Sequence, residues 1–127
     1  MALYMKAGKT LFVLAAAGAV VVAAFAAPTA GGDRAAAAKT RSVRVDDDFF
    51  RPKRPVIARG DRVRWVWRGT ADHNVRFRKV PRRVSRRPGS RLKDSGSFSR
   101  KFRKRGTYRY VCTLHEDLGM TGSIRVR

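Results

Sequence analysis

Cysteine, histidine and acid are what this chain has least of. Its 127 residues include one cysteine, Cys112, and two histidines, His73 and His115. A single cysteine excludes an internal disulfide, so the thiol is intermolecular, reactive or a metal ligand. It also argues against structural zinc, which prefers several thiolates and takes no thioether. Acidic residues number 9 against 30 Lys and Arg, for a formal charge of +21. Nucleic acid, an anionic cell envelope or an acidic protein partner can balance such a charge. There is no internal repeat and no Met-rich or His-rich tract.

Long hydrophobic runs are equally scarce. Leu11 to Ala27 is uncharged and follows Lys6 and Lys9. At 17 residues it falls short of the about 20 that span a bilayer. A basic start, an apolar middle and the small-residue end Ala24-Phe25-Ala26 are the layout of a secretory signal peptide. A retained N-terminal anchor is the alternative. Pro28 forbids some cleavage positions, and Ala35 to Ala38 offer another. No Arg-Arg pair precedes the run, which points to the general export route. The expected organisation is a signal peptide over 1–26, a flexible leader over 27–41 and one domain over 42–127. Removing the signal leaves a charge of +19. The location read from this is periplasmic, extracellular or at the cell envelope.

A helical period is absent from Ser42 onward. One set of residues, mostly apolar, recurs every second position: Val43 and Val45; Val63, Trp65 and Trp67; His73, Val75 and Phe77; Phe98, Arg100 and Phe102; Tyr108, Tyr110 and Cys112; Ile124 and Val126. This alternation marks half-buried strands. Turn signals around Gly60, Gly69, Gly89, Gly96 and Gly106 separate them. Many short strands so spaced predict an all-β sandwich or barrel. Pro52 and Pro55 suit a strand edge or start. Lys79 to Asp94 has no period and reads as a long loop with one short helical turn. Much of the arginine falls on outward strand positions, where charge suppresses edge-to-edge pairing. The aromatics fall on the inward set, whereas nucleic-acid surfaces interleave exposed aromatics with basic residues. Nucleic acid is thus an unfavoured partner.

The chemistry concentrates in Cys112-Thr113-Leu114-His115-Glu116-Asp117-Leu118-Gly119-Met120, a C-x2-H-x4-M spacing. It offers a thiolate, an imidazole and a thioether within nine residues, and His73 supplies a second imidazole from far upstream. One thiolate, two imidazoles and a weak thioether suit copper in both oxidation states. Gly119 gives the backbone room to bring Met120 round to the same ion. Taken singly, each has a plainer reading: a buried apolar thiol, a surface histidine, a methionine filling the core. Taken together, they predict a metal site.

With these residues in place, the sequence resembles the blue-copper (type 1) cupredoxins, closest to the plastocyanin and amicyanin group. The matching segments are Phe50-Arg51-Pro52, Gly60 to Trp65, His73-Asn74-Val75, Asp94 to Phe98, Gly106 to Cys112 and the loop through Met120-Thr121-Gly122. The resemblance implies a Greek-key β-sandwich of eight strands with one copper at one end. It implies His73, Cys112 and His115 as strong ligands, Met120 as axial ligand, and Asn74 and Thr113 as supports joining the ligand loops. His115 becomes the ligand nearest solvent and the electron exit. Leu114 departs from the proline many relatives carry before the second histidine. Val111 departs from the surface tyrosine of plastocyanins, which puts their remote electron route in doubt.

The function expected is an exported, monomeric electron carrier cycling between Cu(I) and Cu(II), serving redox partner proteins of acidic character. With Cys112 and both histidines spent as ligands, no nucleophile–base pair remains for catalysis, and no small-molecule substrate is implied. Association with an anionic envelope is a further expectation. The competing reading is an extracytoplasmic copper-trafficking or resistance protein that uses the same four ligands.

Overall fold

The computed structural model describes residues 36–127, and Gly18 before them; the expected signal peptide and most of the leader lie outside the described residues. Eight strands follow in order: β1 (Thr40–Asp46), β2 (Phe49–Arg51), β3 (Val56–Ile57), β4 (Arg62–Trp67), β5 (Arg76–Lys79), β6 (Ser97–Lys101), β7 (Gly106–Val111) and β8 (Thr121–Val126). They form two four-stranded sheets, ordered β2-β1-β4-β6 and β3-β8-β7-β5. This is the sandwich that the alternation of residues predicts, with the eight strands that the resemblance implies for a Greek key.

The inward set of each strand makes the core. Val43, Val45, Val63, Trp65, Tyr110 and Ile124 have no exposed surface. Trp65 lies at the centre, with Tyr110 edge-on at 5.3 Å and Phe98 stacked at 5.5 Å. Such aromatic pairs add about 0.5–1.5 kcal/mol each beyond the area they bury. The parallel pairing of β1 with β4 places Val43 beside Trp65 and Val45 beside Trp67, so one phase error would turn both strands inside out.

Two expectations are corrected. His73 does not open a strand: β5 begins only at Arg76, and His73 forms an isolated bridge with Lys93. The backbone of 73–75 is taken by the 90–93 segment instead, through Ser90 N–H to Val75 O at 2.9 Å and Ser90 Oγ accepting from Val75 N–H at 2.8 Å. The segment from Lys79 to Asp94 contains no helical turn; the one 3-10 turn among the described residues is Glu116–Leu118.

What holds that long segment is a buried cation. Arg100 occupies an inward position of β6 and is only 7% exposed. Its guanidinium donates to Ser85 O at 2.7 Å and to Arg86 O and Pro88 O at 3.3 Å. It also lies over the Phe77 ring at 4.3 Å. The planar fork of donors suits a cluster of carbonyls, and its faces suit aromatic rings.

Candidate metal centre

The loop between β7 and β8 folds on itself through main-chain bonds. His115 N–H donates to Cys112 O at 3.2 Å, Leu118 N–H to His115 O at 3.1 Å, and Gly119 N–H to Glu116 O at 2.9 Å. Gly119 sits at φ 80°, a left-handed conformation that glycine adopts without cost. That reversal lets Met120 N–H reach His115 O at 3.1 Å and Met120 O accept from Cys112 N–H at 3.0 Å. Met120 is thereby tied by its backbone to both other members of the loop, and its fully buried side chain belongs to the core cluster that contains Cys112.

His73 reaches the same place from the connection between β4 and β5. Its main chain exchanges bonds with Lys93 at 3.0 and 3.1 Å, and its carbonyl accepts from Trp67 Nε1–H at 3.1 Å. Cys112 and His73 are fully buried, while the His115 side chain is 22% exposed.

The donor atoms converge. His73 Nδ1 and His115 Nδ1 are 3.1 Å apart, and Cys112 Sγ lies 3.7 Å from the first and 3.6 Å from the second. A point equidistant from the three sits about 2.0 Å from each, which is the length of a metal–imidazole bond. Three such donors that leave a gap of this size are a metal pocket rather than a hydrogen-bonded cluster. Two nitrogens and one thiolate in trigonal array are the set that stabilises copper in both states.

The supports are only partly those the sequence suggested. Asn74 and Thr113 join the two ligand segments through the Asn74 side chain: Asn74 Nδ2 donates to Thr113 Oγ1 at 2.9 Å, and Thr113 N–H donates to Asn74 Oδ1 at 2.8 Å. Sequence reasoning missed the carboxylates. β1 and β2 form a hairpin whose two-residue turn is Asp47-Asp48, with Asp48 at φ 70°. Asp47 Oδ1 sits 3.1 Å from His73 Nε2, and Asp48 Oδ1 sits 3.7 Å from His115 Nε2. With Nε2–H donating to Asp47, the Nδ1 of His73 is left free to face the pocket, the usual way an outer carboxylate fixes a ligating histidine. Asp47 also accepts from Ala71 N–H at 2.9 Å and from Thr70 N–H and Oγ1–H at 3.0 Å. The Ala71 bond first, then those from His73 and Thr70, hold its carboxyl well below the usual carboxylate range. The signal available was the run Asp46-Asp47-Asp48, in a chain with only 9 acids.

Around His115 the surface is apolar and then charged. Leu114 is 55% and Leu118 68% exposed. Glu116 bonds Arg78 at 2.8 Å, so the acid beside the ligand loop is partly neutralised by β5.

Comparison with known proteins agrees with this centre. The family model described as "Copper binding proteins, plastocyanin/azurin family" matches residues 37–127. A plastocyanin from Prochlorothrix hollandica is 36% identical over 99 residues, 72% of this chain and 76% of that protein. An amicyanin-alpha from Methylorubrum extorquens is 31% identical over 104 residues, 82% of this chain and 87% of that one. Among solved structures, the oxidised plastocyanin of Dryopteris crassirhizoma superposes with a TM-score of 0.57 at 26% identity, covering 68% of this chain and all of that one. Fold, donor set and sequence agree: the chain belongs to the plastocyanin/azurin family of copper-binding proteins.

Proposed function

We propose that this protein carries single electrons between partner proteins, with copper held by His73, Cys112 and His115 and, axially, by Met120. The observation that carries the reading is the trigonal set of donor atoms around a gap about 2.0 Å from each. Bound copper supplies the one-electron change between Cu(I) and Cu(II).

What the chain supplies is rigidity and one opening. His73 is held at its backbone by Lys93 and Trp67 and at its ring by Asp47. Cys112 is held by the Met120 carbonyl, and its segment by Asn74 through Thr113. A site so held can change charge with little movement of its ligands. His115 alone reaches solvent, between the exposed Leu114 and Leu118. An electron therefore enters and leaves at that edge, where a partner can dock on the leucines and exclude water. Export to an extracytoplasmic compartment, with residues 1–26 as the signal peptide, belongs to the same reading, as does service as a monomer.

The test is the absorption spectrum of the purified protein with Cu(II). Intense blue colour from thiolate-to-copper charge transfer is expected, and Cys112→Ser must abolish it. A colourless wild type, or colour that survives Cys112→Ser, refutes the ligand set. Fast electron self-exchange then separates a carrier from a copper-handling protein, which has no need of it.

A further inference from the structure

The outer face of the β3-β8-β7-β5 sheet carries a cavity of about 640 Å³. Lys53, Arg54, Arg78, Lys79 and Arg109 line it, and its one acid is Glu116. All five cations are exposed. Glu116 bonds Arg78 and leaves the other four without a carboxylate in ion-pair reach among the described residues.

Three separate segments bring these charges together. Lys53 and Arg54 come from the connection between β2 and β3, which is pinned to β8 by Ser123 N–H donating to Lys53 O at 3.0 Å. Arg78 and Lys79 come from β5, and Arg109 comes from β7. Lys79 stands directly opposite Arg109 in the β5–β7 register. Like charges placed so oppose pairing, and among the described residues no carboxylate forms an ion pair with either. A shift of register between Phe77 and Lys79 marks a β-bulge that includes Arg78, and such bulges re-aim side chains beside functional sites. The floor adds hydroxyls from Thr107 and Ser123.

We infer that this groove binds a carboxylate-rich segment of the protein's redox partner. The inference rests on the carrier reading above and adds to it a docking site away from the copper end. The chemistry is that of an anion: four unneutralised cations and hydroxyl donors around a concave floor. The cavity exceeds what one carboxylate or phosphate fills and falls within the range of sites for larger ligands. A concave cleft with no exposed apolar side chain on its lining fits an extended acidic peptide better than a membrane surface. The groove borders the ligand loop through Glu116. A partner held there by its acidic segment has the rest of its surface beside His115, Leu114 and Leu118.

The test uses the copper-loaded protein and a labelled hexaglutamate peptide, followed by fluorescence anisotropy at low and physiological salt. The groove variant is Arg54→Glu with Arg109→Glu. The control is Arg62→Glu with Arg64→Glu, exposed positions of β4 on the other sheet, which change the net charge equally. The groove variant should bind at least about 10-fold more weakly while the control stays within about 2-fold of wild type, because local complementarity rather than total charge sets the contact. Arg54→Gln with Arg109→Gln should follow the groove variant in a smaller degree. Equal losses in groove variant and control, or no binding by wild type, overturn the inference. So does a groove variant that releases phosphatidylglycerol vesicles but keeps the peptide, since the occupant is then a lipid surface. Blue absorption in each variant reports folding and the copper site independently. A colourless wild type refutes the carrier reading, whatever the peptide does.

Discussion

Asp47 is the residue whose removal tests the centre most directly. It accepts hydrogen bonds from Ala71 N–H, from Thr70 twice and from His73 Nε2–H. These losses are unequal. The Asp47 side chain is 45% exposed, so water can replace it on the Thr70 and Ala71 amides at the surface. His73 is fully buried, and its Nε2–H has no such substitute. In Asp47→Ala the imidazole loses the partner that fixes its tautomer and orientation, so Nδ1 is no longer held toward the pocket. Loss of a support of this kind costs a ligating histidine roughly 10- to 100-fold in metal affinity. Asp47→Asn keeps an oxygen acceptor and removes the charge, so it should lose less affinity. It should also raise the reduction potential, because a nearby negative charge favours Cu(II) over Cu(I). Since the wild-type carboxyl is held below the usual range, its folded form is favoured above the ordinary carboxylate pKa of about 3.9, and that advantage is lost as pH falls below it. Chelator competition for Cu(I) and Cu(II) near neutral pH measures the affinity, voltammetry the potential, and thermal melting of the apo form controls for folding. Asp47→Ala binding copper within about 2-fold of wild type would refute the argument, since outer carboxylates of this kind are worth far more.

Two further predictions concern the other sulfur and the packing behind it. Met120→Leu should keep the blue colour and raise the potential, while Met120→Gln should lower it, because axial donation favours Cu(II); unchanged potentials in both would make Met120 core rather than ligand. Gly122→Ala should destabilise the apo protein, since a Cβ there would lie 2.5 Å from Tyr110 Oη and 2.8 Å from Cε2. Tyr110 is fully buried against Phe50 at 4.8 Å and Trp65 at 5.3 Å and has nowhere to go. Overpacking of this kind costs about 1–3 kcal/mol, a fall in Tm of at least about 4 °C for a domain this size. Tyr110→Phe should relieve part of it. Alone it should cost little, because the only polar neighbour given for the buried Tyr110 Oη is Trp65, and the two form no hydrogen bond of good geometry. A Gly122→Ala protein melting with wild type would show that the ring can yield.

The period-two pattern made the sandwich legible because the two faces of strands such as β4 differ: Arg62 and Arg64 face out while Val63 and Trp65 face in. Arg100 was legible as inward by phase, but its three carbonyl partners come from a segment with no period to read. The donor set was readable because the chain holds so few soft ligands. Asp47 was not, because a hairpin turn seldom reveals which distant side chain it will face. The position of His73 outside a strand was equally hidden. Its alternation with Val75 and Phe77 is genuine, but its hydrogen bonds go to Lys93, a non-local pairing that no pattern within 73–78 encodes.

The order of the strands also sets when the centre can exist. β8, the last strand, is the one that pairs with both β7 and the early β3, where Val56 meets Arg125 and Ile57 meets Val126. Cys112, His115 and Met120 all belong to the final sixteen residues. A chain made or threaded from its N-terminus thus presents His73 before the other three, with one sheet lacking a strand at its middle until β8 arrives. Long-range closure of this kind is slow compared with local pairing. Metal capture then has to await the β7–β8 loop: a fragment stopped short of Cys112 has one of the two imidazoles and no thiolate to offer. Loading with copper would in this way report that the β7–β8 loop is in place and folded against the His73 segment.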